Sequence, residues 1–90
     1  MDKSVLIDAI ATYGPELQKT VAIEEMSELT KEIVKDLRGN ISTLHMAEEI
    51  ADVEIMLEQL KIMYNNDKLV EVYKHRKLER LKDRIDQVYK

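Results

Sequence analysis

Apolar residues recur at helical spacing in four runs separated by short polar punctuation. The first run, from about Ser4 to Tyr13, places Val5, Leu6, Ala9, Ile10 and Tyr13 on one side, with Asp2 or Ser4 as its cap. Gly14-Pro15 stops it, and Pro15 suits the first turn of a second helix, where no N–H is needed. That helix continues to about Leu37 or Arg38, with Glu16 at its positive end and Lys35 and Arg38 near its negative end. Gly39-Asn40 ends it. Ser42 or Thr43 caps a third helix running to about Tyr64, and Asn65-Asn66-Asp67 separates it from a fourth, about Lys68 to Tyr89. Loops of about 2–5 residues make neighbouring helices antiparallel. The pattern predicts one all-α domain over residues 1–90, a four-helix bundle-like chain.

The third helix is the most apolar. With residues ~100° apart, one side carries Met46, Ile50, Val53, Leu57 and Leu60, and the opposite side Leu44, Ala51, Ile55 and Ile62. A helix apolar on two sides is expected to be buried on two sides. In so short a chain one of those sides is expected to meet another subunit, as a dimer or tetramer; cover by the short first helix is the alternative. Composition points the same way. Apolar residues make up 44% of the 90, generous for one small core.

A third stripe runs between those sides: His45, Glu49, Asp52, Met56, Gln59 and Met63, stacked along one line of the helix. Acids on a mostly buried helix carry a desolvation penalty unless paired or metal-bound. The second helix supplies Glu25, Glu28 and Glu32 on the flank of its apolar face (Val21, Ala22, Met26, Leu29, Ile33, Leu37), with Glu24 one turn behind Glu28. Folded antiparallel about Gly39, Glu28 and Glu49 come level to within about one or two ångströms. Four carboxylates then converge: Glu25, Glu28, Glu49 and Asp52. Acids so close need a compensating cation, and all-oxygen ligands suit Mg²⁺ or Mn²⁺. The competing account is a solvated acidic face bridged by Lys31, Lys35 or Lys61.

Charge and composition narrow the chemistry. The chain has no Cys, which excludes disulfides, thiolate metal sites and a cysteine nucleophile. A di-iron bundle needs Glu-x-x-His pairs, but Ser42 and Val72 stand three residues before His45 and His75. A net charge of −4 disfavours nonspecific nucleic-acid binding. No apolar run reaches membrane-spanning length and the N-terminus lacks leader character, so a cytoplasmic location is expected.

Glu25-Met26-Ser27-Glu28, followed after twenty residues by Glu49-Ile50-Ala51-Asp52, resembles the ExxE…ExxD pair of the MazG-like all-α nucleoside triphosphate pyrophosphatases. Residues 23–29 are similar to that family's EExxEL segment, residues 45–53 to its EELADV segment, and Lys77-Leu78-Glu79-Arg80-Leu81 to the K-x-x-R stretch of its fourth helix. The resemblance spans residues 17–85. It implies hydrolysis of a (d)NTP between the α and β phosphates, giving (d)NMP and pyrophosphate, as nucleotide-pool house-cleaning. It implies Mg²⁺ on Glu25, Glu28, Glu49 and Asp52. In such a reaction a carboxylate not fully used in coordination is expected to orient or deprotonate the attacking water: Glu25, with Glu24 or Glu48 as alternatives. It also assigns Lys77 and Arg80 to phosphate.

The fourth helix gathers Tyr73, Lys77, Arg80 and Arg84 on one side, beside the apolar stripe Val70, Leu78, Leu81, Ile85 and Val88. A basic line there can reach a triphosphate; pairing with Glu79 or Asp83 is the alternative. Stacking on a base falls to Tyr13, Tyr64, Tyr73, Tyr89 or His45, since the chain has no Trp or Phe. His45, one turn before Glu49, is placed to touch base or phosphate, or else to be a hydrogen-bonded core histidine. The rival from another class is a noncatalytic helical module that binds nucleotide or a protein partner. A DNA-binding regulator is a third reading, weakened by the short basic stripe.

Overall fold

The computed structural model describes residues 1–89, and helix is the only regular structure among them. The helices are α1 (Lys3–Tyr13), α2 (Pro15–Leu37), α3 (Thr43–Tyr64) and α4 (Asp67–Val88). The fold is an all-α four-helix bundle. Among the described residues no helix is long and apolar enough to cross a membrane.

Each boundary has a local cause. The Asp2 carboxylate caps α1 by accepting from the Ser4 N–H at 2.9 Å and the Ser4 hydroxyl at 2.7 Å. Gly14, at φ 88°, donates its N–H to the Ile10 carbonyl at 2.8 Å and hands over to Pro15. Gly39, at φ 89°, closes α2, where the N–H of Asn40 returns to the Lys35 carbonyl at 2.9 Å. The Ser42 hydroxyl opens α3 by accepting from the His45 N–H. Asn65 closes α3 in the left-handed conformation that Asn tolerates.

Helices α2 and α3 form the main packed pair, and they are antiparallel. The Gln18 amide donates to the Gln59 side-chain carbonyl at 2.8 Å. Seven residues further along α2, Glu25 meets Asp52, seven residues back along α3. Helix α1 packs on both and buries Leu6. Helix α4 meets α3 alone, and every described residue beyond Val70 is exposed.

The stripes are arranged differently from the sequence expectation. The two apolar sides of α3 are open: Leu44, Ile50, Ala51, Ile55 and Leu57 are exposed, and Met46, Val53, Leu60 and Ile62 half-buried. On α2, Met26, Ile33 and Leu37 are exposed as well. The buried line of α2 is Gln18, Ala22 and Glu32, with Glu25 half-buried between them; that of α3 is Met56 and Gln59, continuing to half-buried Glu49. The reason is geometric. One neighbour cannot cover two opposite stripes, and α2 settles between them on the mixed line. Among the described residues only Leu6, Ala22 and Met56 are buried apolar side chains.

The Gln18–Gln59 bond therefore sits where a bundle ordinarily places leucine. Gln18→Ala strands a buried Gln59 amide and should lower stability by about 1–2 kcal/mol. The joint Gln18→Leu, Gln59→Leu variant should recover that loss or exceed it. Urea denaturation at fixed protein concentration measures both. A Gln18→Ala protein as stable as the wild type would show that the pair holds nothing.

Candidate metal centre

The seam becomes acidic midway along α2. Glu25 projects from α2, while Glu49 and Asp52, one turn apart, project from α3. One carboxylate oxygen from each of the three lies within 4.8 Å of the others. Glu25 and Glu49 are half-buried, and Asp52 lies at the exposed rim. Glu28 stands one turn beyond Glu25, exposed, with Lys31 at 3.4 Å. Glu32, one turn further, is buried and accompanied by Lys35 at 3.7 Å.

Nearby bases are thus directed to other acids. The described ion pairs join Lys31 to Glu28, Lys35 to Glu32, Lys61 to Glu58 and Lys74 to Glu71. None reaches Glu25, Glu49 or Asp52. The Glu49 Oε2 atom is buried with no hydrogen-bond partner. Desolvation, then the Asp52 charge, a hydrogen bond with Asp52 and the charges of Glu49 and Glu28 hold the Glu25 carboxyl above its ordinary range. Glu49 is raised by desolvation first, then by Asp52, Glu28, Glu32 and Glu48. A buried acceptor without a donor, among acids without a base, fits a hard divalent cation held by oxygen.

The other expected site residues lie apart from this trio. Glu28 acts on Glu25 and Glu49 through its charge while its carboxylate turns to Lys31. Glu24 and Glu48, the alternative bases, are exposed. His45 is exposed in the first turn of α3, where its backbone N–H serves the Ser42 cap. Lys77 and Arg80 are exposed on α4, a helix that does not touch α2. Sequence reasoning missed Gln18 and the burial of Glu32. The signal was present: Gln18, Glu25 and Glu32 fall seven residues apart, on one line of α2.

Compared with models of known protein families, with curated proteins and with solved structures, the chain has no match.

The raised acids give the metal-free protein a pH dependence of defined sign. A carboxyl raised by folding binds more protons folded than unfolded. Its stabilising contribution is full below the ordinary glutamate value of 4.5 and is lost as pH rises through the raised value. In EDTA, Glu49→Gln removes this penalty and should raise Tm at pH 7, with the difference shrinking toward pH 4. A Glu49→Gln Tm below that of the wild type at pH 7 would contradict the electrostatics.

Proposed function

We propose that this chain is a Mg²⁺-dependent nucleoside triphosphate pyrophosphohydrolase, with Mn²⁺ able to substitute. It hydrolyses a (d)NTP between the α and β phosphates to (d)NMP and pyrophosphate, as the resemblance to the MazG-like pyrophosphatases implies. It serves nucleotide-pool house-cleaning in the cytoplasm. The observation that carries the reading is the convergence of Glu25, Glu49 and Asp52 on one seam with a buried Glu49 oxygen left unpaired. The motif residues of two separate segments meet there.

In this reading Glu25, Glu49 and Asp52 hold the cation, with Glu28 adding charge at the next turn. When bound, the cation neutralises phosphate oxygens and polarises the α-phosphorus. The chain's own groups do the rest. Water adds to the α-phosphorus, the bond to the bridging oxygen breaks, and pyrophosphate leaves. The water proton passes to a carboxylate. Glu25 receives it in this reading, through a carboxylate oxygen left free of coordination. Lys77 and Arg80 bind phosphate oxygens. Because α4 leaves the acids of its own chain, these bases serve the site of a neighbouring subunit in a homodimer or homotetramer.

The noncatalytic module remains the second reading. It is favoured by the separation of Lys77 and Arg80 from the acids within one chain and by the open apolar flanks of α2 and α3.

Release of pyrophosphate and monophosphate from a panel of NTPs and dNTPs separates the two. Hydrolysis should require Mg²⁺ or Mn²⁺, stop in EDTA and fall at least ~100-fold in Glu49→Gln. Mg²⁺ at ten times its Kd should stabilise the wild type by about 1.4 kcal/mol and leave Glu49→Gln unmoved. Metal-dependent nucleotide binding without product would establish the module; unchanged turnover in Glu49→Gln would remove the site assignment.

A further inference from the structure

We infer that α4 beyond Val70 is a strap that melts separately from the α1–α3 body and is ordered as helix when an oligophosphate lies along Arg76, Arg80 and Arg84. The anion part rests on the phosphate role proposed above for this helix. Its test reads amide exchange with an inorganic anion, not turnover, so either proposal can fail alone.

Little holds the strap to the body. From Glu71 to Tyr89 every residue is exposed. The helix meets α3 alone. Its share of the elbow groove comes from the cap and the first two turns: Asn66, Val70 and Lys74, across from Leu57, Leu60 and Tyr64. The described ion pair of α4, Lys74 with Glu71 at 3.3 Å, lies within the helix. So does the stacking of Arg76 on Tyr73 at 5.8 Å. A helix of this length with no packed face is marginal in water.

Its own sequence adds to the weakness. The Asn66 side chain makes no capping hydrogen bond, and the last turn holds no base. Asp83 and Asp86 stand toward the negative end, where acids are disfavoured. Like charges recur four residues apart: Arg76, Arg80 and Arg84 on one line, Glu79 and Asp83 on the next. Opposite charges three apart, Arg76 with Glu79 and Arg80 with Asp83, offset part of this. None of the described ion pairs uses any of the three arginines.

The arginine line is where a ligand can act. Lys77 stands beside it, and Glu71 and Asp86 lie further round the helix. The three guanidinium groups are stacked, with Cβ atoms about 6 Å apart, only while the segment is helical. An oligophosphate carries negative oxygens on successive phosphorus atoms, so one chain can neutralise adjacent guanidinium groups together. It replaces repulsion along the line by attraction. It therefore binds the helix in preference to the coil and shifts the equilibrium by that difference.

Amide hydrogen exchange of the full chain at micromolar concentration tests this. Without anion, amides of residues 72–88 should exchange at least ~100-fold faster than those in the middle of α2 and α3. Inorganic tripolyphosphate should slow them at least about tenfold, and sodium chloride at equal ionic strength should not. Arg76→Gln with Arg84→Gln leaves Lys77 and Arg80 in place and should lose that response. Lys82→Pro breaks the helix within the strap and should leave exchange in α2 and α3 within about threefold of the wild type. A strap as protected as the body without anion overturns the inference. So does a strap that tripolyphosphate leaves unchanged or that chloride orders equally, or a response that survives in the double arginine variant. Loosening of the body by more than about tenfold in Lys82→Pro would show that strap and body melt together.

Discussion

The structure depends on a seam that is polar where bundles are usually greasy. Gln18 pairs with Gln59, and Glu25 faces Asp52 and Glu49. An apolar seam would hold α2 and α3 together by area alone. This one is held by one buried hydrogen bond, by Ala22 and Met56, and by the cover of α1. Its acidic half opposes the packing, because desolvation and mutual repulsion raise Glu25 and Glu49 together. A structural scaffold gains nothing from such a cluster. A cation seat does.

The same choice of seam has a second consequence. With the mixed line turned inward, the apolar sides of α3 and much of that of α2 are left on the outside, and α4 extends with its own stripe uncovered. The acidic cluster and the exposed apolar surface are thus two results of one arrangement. The acids lie at the inner seam, and the hydrophobic surface that would ordinarily form the monomer core is left exposed.

Helix boundaries were legible because their punctuation acts locally. Gly14-Pro15, Gly39 and Asn65 force backbone conformations that end a helix whatever surrounds it, and Asp2 and Ser42 cap through their own neighbours. Of the four carboxylates expected to converge, Glu25, Glu49 and Asp52 were legible because spacing along two antiparallel helices fixes which residues come level, whereas Glu28 turns to Lys31, a choice of partner that spacing does not fix. The orientation of the stripes was not. Periodicity shows that a helix has apolar sides, yet it does not say which side its nearest partner takes. On α3 three stripes compete, and Met56 and Gln59 belong to the line that α2 covers. Nor does a loop length show that α4 stays clear of α2, because Asn65-Asn66 permits a range of angles between α3 and α4.

We propose that the acids of the α2–α3 seam are a cation seat. Mn²⁺ titration followed by electron paramagnetic resonance tests it without reference to substrate. The account predicts saturable loss of the free Mn²⁺ signal in the wild type at neutral pH, reversed by excess Mg²⁺. It predicts that Asp52→Asn, a rim substitution that keeps shape, abolishes this binding while the helical signal is unchanged. A folded wild-type protein that leaves the Mn²⁺ signal untouched would contradict it.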